Sequence, residues 1–193
     1  MRNRIITINR EFGSGGRTVG RKVAGRLGIP CYDAELLQKL AQESGFAEEY
    51  IHEASERTPM SFFAGRYLGS TNEDSLWQAQ YKLITELAEK EPCVIVGRCA
   101  DYILRDRKDV LKVFIHADPQ FRAERIVKEY GERTETPEQR IKDKDRKRAA
   151  YYRFYTDVKW GNVHNYHIAL DSSVLGIDKC AEIVYQLYRS SEE

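Results

Sequence analysis

The chain has 193 residues, enough for one substantial hydrophobic core, and we expect a single domain over 1–193. Its residues are 41% hydrophobic and 32% charged, which is ordinary for a soluble enzyme. The net charge of +1 argues against a nucleic-acid binder, which needs a broad basic surface. No apolar run approaches the length that spans a membrane, so we expect no membrane partner.

Five short apolar segments alternate with helical patterns along the chain. They predict strands over residues 5–9, 29–32, 94–96, 110–115 and 166–170. Buried β-branched strands that are separated by helices indicate an α/β fold with a five-stranded parallel sheet and right-handed crossovers.

Capping signals mark where several helices begin. Thr71-x-x-Asp74 resembles a capping box, and the helix that it opens stops before Pro92. Asp118-Pro119 and Thr136-Pro137 each place an N-cap before a proline, which predicts a helix to about residue 130 and then a long charged helix. The remaining helices are predicted over 19–27, around 36–40 and over 177–188.

The periodicity breaks down over about 44–71, which we interpret as a helical insertion or flap. Aromatic residues cluster there and again over 151–160. They could form insertion core, base-stacking groups or a dimer surface, and we favour core because aromatic clusters usually are core. These residues are Phe62, Phe63, Tyr67, Tyr151, Tyr152, Phe154, Tyr155 and Trp160. The oligomeric state stays open.

The first predicted strand runs directly into a glycine-rich turn and a helix start. Glycines let backbone N–H groups turn toward an anion, and the positive end of the helix dipole points at the same spot. The P-loop pattern is a glycine, four residues and then Gly-Lys-Ser/Thr. Here Arg10 stands at the first glycine and Gly16 at the lysine, while Gly15 and Thr18 remain. We predict a degenerate P-loop; the alternative is a tight turn without a ligand.

Two more candidate residues follow the next strands of the predicted sheet. Asp33 follows the second strand and Arg98 the third. In parallel sheets the ligand lies beyond the carboxyl ends of the strands, so these residues and the glycine loop should meet at one edge.

The cysteines do not form a recognisable pattern. Cys31, Cys93, Cys99 and Cys180 are scattered, with no CxxC pair, which favours reduced thiols. The sequence enters a predicted strand almost at once and shows no signal-peptide pattern, so we expect a cytoplasmic protein.

Several segments resemble motifs of bacterial cytidylate kinases, and they occur in the same order. The segments are 6–18 with Tyr32-Asp33, Gly97-Arg98, 111–119 with Arg122, Ala123 and Arg125, 143–148, and 170–177. The chain most resembles a divergent, cytidylate kinase-like branch of the nucleoside monophosphate kinases. This resemblance implies a P-loop NTPase-type three-layer fold, with the 44–71 insertion on the acceptor side and a lid over about 131–160.

The resemblance implies an ATP-dependent phosphotransferase that uses Mg²⁺. The acceptor would be a nucleoside monophosphate such as CMP or another small phosphorylatable molecule, because the sequence departs from the family pattern on the acceptor side. Cys99 replaces an aspartate there, and Ala34 replaces a small hydroxyl residue or glycine. The alternative is a catalytically weak nucleotide-binding protein that acts as a regulatory or interaction switch.

Residues of the glycine loop are the predicted donor site. They are Gly13, Ser14, Gly15, Gly16, Arg17 and Thr18. Thr18 would ligate Mg²⁺, and Arg17 would supply charge that the absent lysine would have given. Arg10 and the lid are the alternative sources of that charge.

The remaining predicted residues bind the acceptor or the transferred group. Arg98 would clamp the acceptor phosphate. By resemblance Arg148 reaches the phosphates, Asp145 accompanies the acceptor, and Arg140 substitutes for a second lid arginine. Asp33 is either an acceptor-side carboxylate or a helix N-cap. The lid charges could also be an ordinary solvated helix face.

Overall fold

The computed structural model describes residues 4–33 and 71–190, except for the side chains of 71–76. The strands are β1 (Ile5–Arg10), β2 (Cys31–Tyr32), β3 (Cys93–Val96), β4 (Val110–His116) and β5 (Ile168–Asp171). The helices are α1 (Gly16–Leu27), α2 (Thr71–Lys90), α3 (Ala100–Ile103), α4 (Pro119–Tyr130), α5 (Pro137–Thr156), α6 (Ser172–Leu175) and α7 (Ile177–Ser190), with a 3₁₀ turn at Val163–Asn165.

The five strands form one parallel sheet in the order β2-β3-β1-β4-β5. β1 is central, and its Ile5 pairs with Cys93 of β3 and Val110 of β4. The sheet confirms the predicted α/β fold.

Helices cover both faces of this sheet and make three layers. Successive strand residues point to opposite faces, so Ile6 and Ile8 pack toward α1 and α7, whereas Ile5 packs toward α2 and α3. α1 lies close to the sheet at Gly20, where an added Cβ would come within 2.9 Å of Val96 Cγ2. This close packing fixes the position of α1 relative to the sheet, and with it the position of the loop that precedes α1.

Two strands begin two residues later than the sequence predicts, and the other strand boundaries differ by at most one residue. The second strand begins at Cys31 rather than 29, although the Pro30 carbonyl still accepts a hydrogen bond from Val94 N at 2.9 Å. The fifth strand covers Ile168–Asp171 rather than 166–170, because residues 163–165 form a 3₁₀ turn that the Asn162 side chain caps. Apolar residues at a turn imitate a strand in the sequence pattern.

The long charged helix is present as α5, and both bonds of a capping box at Thr136 and Gln139 fix its start. Its last turns are embedded in the molecule, because Tyr152 and Thr156 are buried. Tyr155 stacks on Trp77 of α2, with ring centroids 4.5 Å apart. The aromatic residues at this end of the helix therefore pack against the protein body.

Nearly all of the predicted insertion over 44–71 lies outside the described residues, as do the 36–40 pattern and the aromatic residues at 62, 63 and 67. Among residues 4–33 and 71–190, no helix has both the length and the apolar character needed to cross a bilayer.

Candidate functional site

The glycine loop joins β1 to α1 at the carboxyl edge of the sheet. Gly13 and Gly15 have φ angles of 84° and 78°, in the left-handed region that favours glycine. Gly15 is the N-cap of α1, and no side chain in the described part of the chain caps that end. The first N–H groups of α1 therefore face the loop without a capping partner, an arrangement that suits an anion.

Hydrogen bonds fix the loop from beneath through Ser14, whose side chain is fully buried. Its hydroxyl lies 2.9 Å from the Glu11 carbonyl and 3.1 Å from the Ile115 carbonyl. The Ser14 carbonyl in turn accepts a hydrogen bond from Ser172 Oγ at 2.6 Å. The Ser14 N–H lies 3.4 Å from the Glu11 carbonyl, so the hydroxyl and the backbone of Ser14 both serve to hold the shape of the loop.

A buried carboxylate, Asp33, receives two arginines from the same face of α1. Arg17 Nε donates to Asp33 Oδ2 at 2.7 Å, and Arg21 Nη2 donates to the same oxygen at 2.8 Å. The Arg17 side chain is 32% exposed and that of Arg21 is 57% exposed. Arg17 is thus the more enclosed of the two and is oriented toward the β2 end of the sheet.

Further arginines approach the same place from β1, from the end of β3 and from α5. Burial and the charges of Arg148, Arg98 and Arg17 lower the pKa of Arg10 well below its usual range, and Asp33 only partly opposes them. These side chains are close enough to act on one another. We call Arg10, Arg17, Arg98 and Arg148 the arginine cluster.

The backbone around Arg98 is unusual. Arg98 and Cys99 both have positive φ angles, 57° and 55°, which non-glycine residues adopt at a cost of about 1–3 kcal/mol. Gln80 Nε2 donates to the Arg98 carbonyl at 2.9 Å and helps to hold it. The Cys99 thiol is buried, which raises its pKa well above the usual range. Cys99 therefore packs in the core, and Arg98 carries the charge at this turn.

The long helix α5, which lies in the predicted lid, contacts the loop through Asp145 and Arg148. Asp145 Oδ1 accepts a hydrogen bond from the Phe12 N–H at 2.7 Å, and Asp145 Oδ2 lies 2.5 Å from Arg122 Nη1 of α4. Arg148 Nη1 donates to the Arg10 carbonyl at 3.1 Å. Asp145 thus joins the loop, α4 and α5, and Arg148 belongs to the same junction as the arginine cluster.

Thr18, the predicted metal ligand, faces α4. Its Oγ1 accepts a hydrogen bond from Arg125 Nη2 at 3.0 Å. In the P-loop pattern the hydroxyl residue follows the lysine directly, and that position belongs to Arg17, so Thr18 stands one residue later. No group of His, Cys, Asp or Glu side chains within the described ranges is arranged to hold a metal ion. A cation bound here would be coordinated by Thr18 and by oxygens of a bound phosphate ligand.

Arg140 lies apart from the other predicted residues. It is buried, and its Nη1 donates to the Gly131 carbonyl at 2.9 Å. It also lines a cavity of about 320 Å³ together with Phe12, Tyr130, Lys144 and other charged residues of α5. The structure therefore brings together Arg17, Asp33, Arg98 and Arg148, places Asp145 at the contact between the loop and α5, and leaves Arg140 outside.

Several residues to which the sequence analysis assigns no role stabilise the glycine loop by hydrogen bonds and ion pairs. Glu11 accepts a hydrogen bond from Ala117 N at 3.1 Å and lies 3.6 Å from Arg122 Nε. Arg122 and Arg125 both point from α4 to the loop. Their spacing of three residues on one helix was the available signal, because residues three apart share a helix face.

The sequence of the chain is similar to the sequences of known kinases. The model of the cytidylate kinase-like family matches residues 5–174. A cytidylate kinase of Archaeoglobus fulgidus is 30% identical over 186 residues, which cover 93% of this chain and 91% of that protein. These matches confirm the resemblance predicted from the sequence.

Solved structures of other proteins have a similar fold. An uncharacterized protein from Eubacterium ventriosum shares 30% identity with a TM-score of 0.76, and the match covers 96% of this chain and 98% of that one. Shikimate kinase from Acinetobacter baumannii shares 18% identity with a TM-score of 0.56, over 97% of this chain and 94% of that one. The second likeness shows the fold of the P-loop kinases.

Proposed function

The chain belongs to the cytidylate kinase-like family, and from this premise we propose that it is an ATP-dependent phosphotransferase. The acceptor is a nucleoside monophosphate such as CMP or another small phosphorylatable molecule. The observation that carries the proposal is the arginine cluster beside the start of α1, which no side chain of the described residues caps. In phosphoryl transfer the protein acts mainly by positioning the substrates and by neutralising their anionic oxygens, and these groups suit that task.

The donor phosphates lie against residues 13–18 in this proposal. The backbone N–H groups of the loop and of the first turn of α1 bind them, and Ser172 holds the loop by its bond to Ser14. ATP would supply the phosphoryl group, and a bound Mg²⁺ would shield the negative charge of the ATP phosphates. Thr18 is the protein's proposed ligand for that ion, which requires Arg125 to release the Thr18 hydroxyl.

Three arginines serve the transferred group and the acceptor. Arg98 binds the acceptor's phosphate or an equivalent anion, Arg17 neutralises charge that develops in the transition state, and Arg148 approaches from the lid. Asp33 orients Arg17, and Asp145 positions Arg148, whose Nη1 lies 3.7 Å from Asp145 Oδ1. Arg140 joins this set only if it leaves the Gly131 carbonyl during closure.

We assign the activity to the cytoplasm. All four cysteines are free in the structure, and burial raises the pKa of Cys31 to about 11 and that of Cys93 to about 12. Protonated, unpaired thiols suit a reducing compartment.

An ADP-release assay tests the proposal. Wild-type protein is incubated with ATP and Mg²⁺, alone and with each member of a panel of nucleoside monophosphates, nucleosides and small alcohols. We expect at least one acceptor, with CMP tested first, to raise ADP formation above the acceptor-free rate. Binding of ATP without acceptor-dependent ADP formation would favour the alternative, a nucleotide-binding switch.

A further inference from the structure

The Arg10 side chain occupies the space beside the position that holds lysine in the standard P-loop pattern. A Cβ added to Gly16 would lie 2.5 Å from Arg10 Cβ and 3.0 Å from Arg10 Cγ, closer than real Cβ contacts allow. A Cβ added to Gly97, after β3, would lie 2.0 Å from Arg10 Nη1. Arg10 therefore runs from the end of β1, past the first turn of α1, to the end of β3.

Among residues 4–33 and 71–190, the Arg10 guanidinium has no ionic partner. It makes no hydrogen bond or ion pair within the described ranges 4–33 and 71–190, although its environment is enclosed. Asp33, the carboxylate that acts on it, already receives Arg17 and Arg21. Enclosed charges normally have a partner of opposite sign, and the arginines around Arg10 make the local charge still more positive. An anion is the ligand that would relieve this excess.

The positions of Arg10 and Gly16 are reciprocal. The standard pattern has glycine where Arg10 stands and lysine where Gly16 stands. The 2.5 Å approach of the two Cβ positions means that a side chain at one requires glycine at the other. The loop therefore exchanges the two residue types instead of simply losing a cation.

We propose that Arg10 is the cation that replaces the P-loop lysine, and that it binds the terminal phosphates of the donor nucleotide. Gly16 and Gly97 provide the room for its stem and its guanidinium. This inference rests on the proposed function and deepens it. It also distinguishes Arg10 from Arg17, whose Nε is directed to Asp33.

Calorimetry with ATP and with pyrophosphate tests the role of Arg10. Arg10→Met keeps much of the stem but removes the charge, so we expect it to weaken both ligands by roughly 10- to 100-fold, as the loss of charge-assisted hydrogen bonds does. Arg26→Ala is the control, since it removes an arginine that pairs with Glu182 on the far side of α1. A folded Arg10→Met protein that binds both ligands like the wild type would overturn the inference.

An exchange of the two residues is the sharper test. Gly16→Lys alone should weaken binding because its stem collides with Arg10, and Arg10→Gly alone should weaken it by loss of charge. The double variant, Arg10→Gly with Gly16→Lys, restores the standard pattern and should recover most of the lost pyrophosphate affinity. Additive losses in a folded double variant, as judged by circular dichroism, would contradict the exchange.

These results separate the two proposals. If pyrophosphate binding depends on Arg10 but no acceptor stimulates ADP formation, the phosphotransferase proposal fails while the role of Arg10 holds. If acceptor-dependent ADP formation in Arg10→Met keeps the wild-type kcat/KM for ATP, the role of Arg10 fails and the proposed function stands.

Discussion

Arg17 and Arg21 share one carboxylate, and this arrangement allows their roles to be separated. Both donate to Asp33 Oδ2, at 2.7 and 2.8 Å, but Arg17 lies at the start of α1 and belongs to the arginine cluster. A charge that acts mainly in the transition state lowers kcat more than it raises KM when it is removed. Arg17→Ala should therefore reduce kcat by about 100-fold or more.

Arg21→Ala is the matched control for this measurement, because it removes a bond to the same oxygen from a more exposed residue. Steady-state kinetics of the two variants should differ mainly in kcat. A near-normal kcat for Arg17→Ala would assign the required charge to Arg10 or to the lid.

Arg98 should act on the acceptor and not on the donor. It follows β3, on the side of the sheet that carries β2 and Asp33. Arg98→Lys keeps the charge but loses the two parallel hydrogen bonds of a guanidinium, so the KM for the acceptor should rise while donor affinity stays nearly unchanged. Kinetics with each substrate varied in turn would measure this, and equal weakening of both substrates would make Arg98 a structural or donor-side residue.

At the scale of elements, α5 combines a contact with the loop and an anchor in the core. Its middle carries Asp145 and Arg148 against the glycine loop, whereas Tyr152 is buried and donates to Asp101 Oδ2 at 2.8 Å. Trp160, just beyond the helix, donates to Asn9 Oδ1 at 3.1 Å. The lid predicted over 131–160 therefore has one end that is held by the sheet.

We predict that residues 131–148 open without ligand and close over the donor phosphates. Seven basic residues lie between 140 and 153, and partial burial together with Lys147, Arg148 and Arg133 lowers the pKa of Lys144. An arriving anion would relieve this repulsion. Hydrogen exchange with ATP and acceptor should show increased protection over 131–148, whereas 152–160 and α7 should stay protected throughout. Unchanged protection despite demonstrated binding would indicate a permanently docked helix.

The anchor at Tyr152 makes a separate prediction about stability. Burial raises the pKa of Asp101 from its ordinary value of 3.8, and the bonds from Tyr152 and Asn9 partly oppose this rise. Tyr152→Phe leaves the ionised carboxylate with one donor fewer, and it should lower the free energy of unfolding by about 1.5–3 kcal/mol at pH 8. Tyr81→Phe, at an exposed position of α2, is the control.

The pH dependence gives this prediction a definite sign. Because the folded-state pKa of Asp101 is raised, its contribution favours the folded state at low pH and is lost as the pH rises through that pKa. The lost bond stabilises the charged form, so the difference between the wild type and Tyr152→Phe should shrink as Asp101 becomes protonated. Denaturant unfolding at pH 4 and pH 8 measures it, and an equal difference at both values would refute the explanation.

At the scale of the whole molecule, much of the fold could be predicted because strand burial leaves a strong local signal. β3 is a continuous apolar run, β1 is buried from Ile5 to Asn9 and carries three isoleucines, and the start of α5 has a complete capping motif. The start of β5 was less predictable. The ring of Tyr166 packs on that of Phe114, with ring centroids 4.9 Å apart, so Tyr166 is buried like a strand residue although it lies before the first residue of β5.

The candidate site was predictable only in part. Asp33, Arg98 and the glycine loop could be expected at one edge from topology alone. The course of the Arg10 side chain over Gly16 and Gly97 could not, since it depends on the distance between the ends of β1 and β3 and the first turn of α1. Likewise, the bond from Arg125 to Thr18 joins two elements that are 107 residues apart in sequence.

The central claim is that a loop without the P-loop lysine still binds the phosphates of a donor nucleotide. Calorimetric titration of the wild-type protein with ATP and ADP, with and without Mg²⁺, tests it most directly. We predict saturable binding of ATP below millimolar concentration, unchanged in Arg26→Ala and weakened in Arg10→Met. Absence of binding at millimolar nucleotide, in protein that circular dichroism shows to be folded, would contradict the claim.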